Sequence, residues 1–297
     1  MKNRAALQNK LKQTVWQLAD IIGPRHLGIP DSIRRTTELI ERELTGCGYE
    51  ILRESYQAEE QTVSNLIVEI PGCRQPERIL VVGAHYDTVP TTPGADDNAS
   101  AVAVLLEIAR AMAGKSLSRT LRIVFFPCEE SPYFHRGEMG SQHHALRCRS
   151  SGEQLIGMLC LEMLGYYTDE PDSQLVPKGI PRWLRWAFPR KGNFLAAVAN
   201  LSSLSLLIRF RRGFKRKVSF PLFSIALPEA IREIRQSDHS NFWDQKFPAL
   251  MLTDTSFLRN PHYHQATDTP DTLDYVRMAD VTVGICGAVE SLCRVIR

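Results

Sequence analysis

The chain has 297 residues, of which 43% are hydrophobic and 23% charged, with a formal net charge of +3. That length suits one large domain or two small ones with a substantial core, and the composition excludes disordered, fibrous and disulfide-scaffold classes. No apolar run reaches the ~18 residues a membrane span needs, and the start, MKNRAALQNKLKQ, lacks the apolar stretch of a signal peptide. The expectations are therefore no integral membrane segment and a cytoplasmic location. The seven cysteines (47, 73, 128, 148, 160, 286 and 293) are scattered without a CxxC pair, which reads as free and mostly buried thiols.

In chain order, residues 4 to 22 carry Leu7, Leu11, Val15, Leu18 and Ile22 on one helical face, and Gly23-Pro24 stops the pattern. Asp31 or Ser32 is placed to cap a second helix through Leu44, closed near Gly46 and Gly48. Tyr49–Gln57 and Asn65–Ile70 read as strands, with Pro71-Gly72 as the turn after the second. The run Ile79-Leu80-Val81-Val82 is a short buried strand that ends at Gly83. A loop then leads to Asp96-Asp97-Asn98 and a long apolar helix, with Asn98 or Ser100 placed as its cap. Further strands are expected over Leu121–Cys128, Ile156–Met163 and Phe247–Thr255, a helix start at MGSQHHAL, and a final helix from about Met278. Strands alternating with helices predict an α/β fold: a mixed, largely parallel central sheet covered by helices on both faces.

Charge is segregated. Between Ser173 and Pro228 lie eleven basic residues, from Lys178 to Lys217, and no acidic one, so the rest of the chain is acidic on balance. Within this insertion, FLAAVANLSSLSLL (194–207) reads as an apolar helix, followed by RFRRGFKRK. The insertion is expected to be a solvated basic helix end, a lid reading acidic substrate ends, an oligomer contact or an anionic-surface patch. A nucleic-acid role is not expected, because no recognised module accompanies it.

The residues at strand ends carry the chemistry. His85 and Asp87 follow the central strand, Glu129-Glu130 follow IVFFPC, Glu162 ends the next strand, and Asp254 the last. His262 and His264 lie in the loop after that, and Asp96-Asp97 open a helix. In open α/β sheets such ends converge on one crevice. Imidazoles and carboxylates without thiolate suit catalytic rather than structural zinc, and this many donors suits two ions. Any one of them alone reads as a turn former, a cap or solvated surface. Glu129-Glu130 is harder to read that way, because a carboxylate drawn to a buried sheet mouth is costly without a cation or a role. Of two adjacent glutamates, one is free to bind metal while the other serves as general base.

GAHYD, PGADDNAS, CEE after an apolar strand, LEMLGYY, SDHSNF and TDTSFLRNPHYHQATDTPDTLD together resemble the co-catalytic zinc aminopeptidases and carboxypeptidases. This is peptidase family M28, with the bacterial leucyl aminopeptidase, aminopeptidase Y and glutamate carboxypeptidase relatives. The resemblance spans about residues 15 to 290 and implies a single zinc-peptidase domain over 1–297, with 166–236 as an inserted lid or subdomain. It implies two zinc ions per chain. His85 and Glu162 would hold the first, Asp97 would bridge both, and Glu130 and His264 would hold the second. Glu129 would be the general base. Spacing alone does not choose Asp97 over Asp96 or His264 over His262; the resemblance makes both choices. Asp87 would accept a hydrogen bond from the far nitrogen of His85, and the Asp97–Asn98 peptide would be cis. Asp238 and His239 fall in a segment that resembles one close to the family's site, as substrate contacts, as supports of the ligands or as merely structural residues, and Tyr166 either lines the substrate pocket or only covers the sheet end. Two departures stand out: Glu162 where other members carry Asp, and Ala101 where Gly is usual.

The activity implied is exopeptidase cleavage of peptide substrates, foremost as an aminopeptidase. The alternatives are a glutaminyl cyclase-like transferase on the same scaffold, which uses one zinc, and a binding module without catalysis. His143 and His144 are adjacent at a helix start, face different ways and read as bystanders. Oligomeric state is not readable.

Overall fold

The computed structural model describes residues 4–296. Eight strands form one sheet in the order β1-β2-β4-β3-β5-β8-β6-β7. They are β1 (Leu52–Ala58), β2 (Gln61–Ile70), β3 (Gly72–His85), β4 (Leu117–Phe126), β5 (Gln154–Glu162), β6 (Leu195–Asn200), β7 (Leu222–Leu227) and β8 (Ala249–Thr253). The inner strands β4, β3, β5 and β8 run parallel. β1, β2 and β6 join through antiparallel pairings, and β7 lies parallel to β6 at the edge. The mixed, mostly parallel sheet expected from the alternation of elements is the one found.

Side chains of β3 alternate between the two faces. Leu80, Val82 and Ala84 join one core, and Ile79 and Val81 the other. The first core is closed by α1 (Arg4–Trp16), α2 (Pro30–Thr45), α3 (Ala101–Met112), α5 (Leu204–Lys215) and α7 (Tyr275–Cys293). The second lies under α4 (Gly140–Ser150) and α6 (His239–Asp244). A wider turn, Gln17–Ile22, extends α1 to the residue expected, and Leu7, Leu11, Val15 and Leu18 are buried on its inner face. The seven cysteines are free, five of them buried. Among the described residues no helix is long and apolar enough to cross a membrane.

Three local expectations are corrected. The helix read over 194–207 is strand β6, then a short turn, then α5. Six apolar residues cannot by periodicity alone be told from a buried helix. The chain breaks at Asn200, whose side-chain carbonyl accepts the Ser203 amide at 3.0 Å. Neither Asp31 nor Ser32 caps α2: Pro30 opens that helix, and the Ser32 hydroxyl donates back to the Ile29 carbonyl at 2.8 Å. Neither Asn98 nor Ser100 caps α3, because both side chains are spent on the end of β5. Asn98 Nδ2 donates to the Leu161 carbonyl (3.1 Å) and its Oδ1 accepts from the Met163 amide (2.9 Å), while Ser100 Oγ accepts from the Leu164 amide (2.8 Å).

α5 and α7 approach at small residues. A Cβ at Gly213 would lie 2.6 Å from the Ala288 Cα, so a side chain there would force the two helices apart. Gly213→Val is expected to cost about 1–3 kcal/mol, the usual range for overpacking. Differential scanning calorimetry should read this as a fall of a few degrees in Tm. An unchanged Tm would contradict the close approach.

Candidate metal centre

Parallel β3, β4 and β5 deliver their last residues to one edge of the sheet: His85 ends β3 opposite Phe126 of β4, and Glu162 ends β5 opposite Thr253 of β8. Glu129-Glu130 follow β4 directly, and the loop 95–100 brings in Asp97. His85, Glu129 and Glu162 offer ligand atoms within 4.8 Å of one another, and so do Asp97, Glu130 and His264. Asp97 stands between the groups, with Oδ1 3.5 Å from His85 Nε2 and Oδ2 3.2 Å from His264 Nε2. His85 Nε2 also lies 3.4 Å from Glu162 Oε2 and 4.0 Å from Glu129 Oε2, and His264 Nε2 lies 3.2 Å from Glu130 Oε2. The six residues to which the resemblance assigned metal binding or base catalysis therefore lie together, with Asp87 directly behind them.

The Asp87 carboxylate accepts the amides of Glu129 (3.1 Å) and Glu130 (3.0 Å), which fixes where the two glutamates leave the strand. His85 Nδ1 lies 3.2 Å from the Asp87 carbonyl oxygen and 3.4 Å from its Oδ1. Asp87 thus orients both the imidazole and the glutamate pair. The Asp97–Asn98 peptide is cis, as the resemblance implied.

The electrostatics call for cations. Asp97, Glu129, Glu130, Glu162 and Asp238 are all less than a tenth exposed. Burial, opposed by His85 but aided by Glu162 and Glu130, holds the Glu129 carboxyl well above the ordinary range, and burial with Asp97 beside it pushes Glu130 up to about 8. Burial also pushes Asp238 up to about 7. At His264 burial opposes the charge, but Asp97 and Glu130 outweigh it and raise the imidazole to about 10. At Asp97 burial is likewise outweighed, by the neighbouring imidazoles of His264 and His85, and the carboxyl sits below its usual range. His85 Nε2, Asp97 Oδ1, Glu130 Oε1 and His264 Nε2 are buried without a hydrogen-bond partner. Such atoms are costly unless they bind something. Two nitrogens and several carboxylate oxygens aimed at common points fit a pair of divalent ions of the zinc type.

The outer residues divide. Asp238 is fully buried within electrostatic reach of His85 and Glu162. Its neighbour Ser237 donates to Glu162 Oε2 at 2.6 Å. His239 turns away: its Nε2 lies 2.7 Å from the Ile234 carbonyl and its ring meets Trp243 edge-on. Tyr166 uses its amide on Asp254 Oδ2 (2.9 Å), and its ring lies against His262. His144 is bound to Glu54 (2.8 Å) and His143 stacks on Tyr56, both outside the cluster.

Three supports were not legible beforehand. Asp268 accepts the amides of Asp96 (3.0 Å) and Asp97 (3.1 Å). Tyr263 stacks on His264 with ring centroids 3.8 Å apart and lines the adjoining pocket. Arg25 is fully buried, and its guanidinium donates to five carbonyls, those of Leu18, Gly23, Tyr86, Pro93 and Gly94. It thereby ties the first helix to the loop that carries Asp97. Burial lowers its pKa to about 10 against the raising pull of Asp268, Asp97 and Asp87. Gly94 makes this approach possible: its φ is +62°, and a Cβ there would fall 2.3 Å from the Asp97 carbonyl oxygen. In sequence, a lone arginine after Gly23-Pro24 carries no signal that separates it from a surface residue.

Arg25→Met is expected to leave these carbonyls unsatisfied and cost about 3 kcal/mol or more. Its readout is a lowered Tm together with weaker metal retention on dialysis; wild-type values for both would contradict the anchoring role.

Comparison with known proteins bears on the family and the fold. The profile described as Peptidase family M28 matches residues 65–289. "Uncharacterized protein YfbL" of Escherichia coli (strain K12) is 33% identical over 95% of this chain and 87% of its own length. "Probable leucine aminopeptidase 1" of Trichophyton verrucosum is 29% identical over 77% of this chain, a match that spans only 58% of that relative. Among solved structures, BSAP, a zinc aminopeptidase from Bacillus subtilis, superimposes with a TM-score of 0.75 at 15% identity, covering 98% of this chain and 95% of that one. A glutaminyl cyclase from Fimbriiglobus ruber gives 0.68 at 20% identity, covering 95% and 94%. At these identities the two structures speak to the fold alone. On the profile match over most of its length, the chain belongs to peptidase family M28.

Proposed function

We propose that the protein is a zinc-dependent aminopeptidase that removes apolar N-terminal residues from peptides. The observation that carries this reading is that His85, Glu129 and Glu162 form one cluster of donors and Asp97, Glu130 and His264 another, with the two Asp97 oxygens facing one imidazole of each. In this reading His85, Asp97 and Glu162 hold one zinc ion, and Asp97, Glu130 and His264 hold the other. The ions, when bound, would supply a polarised water and positive charge for the developing oxyanion. Glu129 takes the proton of the attacking water and returns it to the leaving amine. Asp87 keeps the Glu129 backbone and the His85 ring in register.

The pocket that opens from Asp97, Glu129, Glu130 and Glu162 has a largely apolar wall, with Phe188, Phe194, Val198, Phe223, Ile225 and Met251 in it and Gln174, Glu233 and Gln236 among its polar members. Such a wall favours an aliphatic or aromatic side chain over a charged one. Much of it comes from the 166–236 stretch, and the irregular part of that stretch, 166–194, serves as the lid. The acidic cluster next to the pocket suits a substrate's free α-ammonium group, which makes cleavage terminal. A complete double ligand set supports hydrolysis over the single-zinc cyclase chemistry that the shared scaffold also allows.

Leucine and phenylalanine anilides should be hydrolysed in preference to lysine or aspartate anilides by roughly 10–100-fold in kcat/KM. The N-acetylated leucine anilide should be inert. Cleavage of the blocked substrate, or cyclisation of an N-terminal glutamine peptide without anilide hydrolysis, would contradict the reading. Glu129→Gln should lower kcat by about 10²–10⁴-fold while bound zinc, measured by atomic emission, stays at the wild-type level. Retained activity in that variant would remove Glu129 from the role of base.

A further inference from the structure

At the opposite end of the sheet lies a cleft of about 210 Å³ lined by Arg119, Arg209, Arg212, Arg216 and Arg294, together with Ser291 and Leu292. Arg209, Arg212 and Arg216 fall at i, i+3 and i+7 on α5, so they form one stripe. The close packing at Gly213 sets that stripe beside the end of α7, where Arg294 follows the helix. Arg119 opens β4, and Arg78 stands on the neighbouring β3. From Arg78 to His85 the strand advances seven residues, or roughly 23 Å at 3.3 Å per residue. This site is therefore separate from the metal centre.

Its charge is uncompensated. Among the described residues, none of these six arginines is ion-paired to a carboxylate. Glu290, close by on α7, is already held by Lys115 and by Lys217 at 3.0 Å. Arg119 is only 6% exposed, yet its guanidinium has neutral partners, Gln75 Oε1 at 3.2 Å and the Leu292 carbonyl at 3.0 Å. Burial, then the charges of Arg294, Arg78 and Arg209, lowers its pKa, and Arg209 is lowered by burial and then by Arg78 and Arg294. A buried cation held only by neutral groups and surrounded by like charges is a costly arrangement unless an anion completes it.

We propose that this cleft binds a compact phosphate-bearing anion, held by the converging guanidinium groups of Arg119, Arg209, Arg212 and Arg294. Planar guanidinium forks match pairs of phosphate oxygens, and the lining is arginine rather than lysine. Free phosphate compounds and phosphate headgroups of a lipid surface share this chemistry.

The probe is inorganic pyrophosphate, titrated calorimetrically into the full chain at physiological ionic strength. Saturable binding at one site per chain is expected, with a rise in Tm beyond that given by sodium chloride of matched ionic strength. The double variant R209Q/R212Q should bind about tenfold more weakly or worse, as expected when charged hydrogen bonds are lost. Its far-UV circular dichroism should be wild type, and its Tm without pyrophosphate should not fall, because like charges have been removed. The single variant Arg294→Gln gives the same test should the double variant fail to fold. Vesicles of phosphatidic acid in phosphatidylcholine form the second arm. Arginine-dependent binding to these, with none to pyrophosphate, would support the proposal and assign the phosphate to a headgroup. No binding in either arm, stabilisation no greater than that of chloride, or pyrophosphate binding that persists in the variants would overturn it. The last result would place the anion at the metal centre instead.

Discussion

Nine buried carboxylates, from Asp87, Asp96, Asp97, Glu129, Glu130, Glu162, Asp238, Asp254 and Asp268, share one edge of the sheet with two imidazoles, and the rest of the molecule is arranged to make that concentration of charge tolerable. Carboxylates withdrawn from water repel one another and lose hydration, so each must be held by donors, protonated or compensated by a cation. The structure meets this demand in layers. Asp87 takes the amides of Glu129 and Glu130, Asp268 those of Asp96 and Asp97, and Ser237 donates to Glu162. Asp96 is itself held by the Gly165 amide (2.8 Å) and Asn260 Nδ2 (2.7 Å). These contacts leave the atoms that point inward, His85 Nε2 and Asp97 Oδ1 among them, with nothing but each other. The surrounding hydrogen bonds hold the donors in place, and the inner atoms are free to take metal.

The parallel strands supply the placement. Because β3, β4 and β5 run in one direction, residues that end them arrive at the same crevice whatever their separation in sequence. This is why the site was so legible: an apolar run followed by His-x-Asp or Glu-Glu states both the strand and its exit. Position along the chain also shows the limit. Asp96 and Asp97 are indistinguishable by spacing, and it took the resemblance to separate the ligand from the residue behind it. His239 adjoins Asp238 in a familiar segment, yet α6 carries its ring away to Trp243. Arg25 was invisible because its partners are main-chain carbonyls, which no side-chain pattern records. Strand β6 reads as helix in the sequence because a buried strand and a buried helix look alike over a short apolar run.

Charge segregation along the sequence becomes a separation in space. The acidic body of the chain gathers its buried carboxylates at the carboxyl ends of the inner strands. The basic stretch contributes the arginine stripe of α5, which meets Arg119 and Arg294 at the other end. The same stretch also supplies β6 and β7, whose apolar side chains wall the pocket beside the metal centre. One stretch of chain thus contributes to two ends of the sheet, apolar on its strands and cationic on its helix.

The central claim is that the inward-facing donors form two cation sites joined by Asp97. It is tested most directly by calorimetric titration of zinc into the chelator-treated protein, with Asp97→Asn alongside. Two ions per chain are expected in the wild type. In the variant tight binding should be lost at both sites, because each Asp97 oxygen faces a different imidazole. A wild-type protein that takes up no zinc, or a variant that binds two ions as tightly as the wild type, would contradict it.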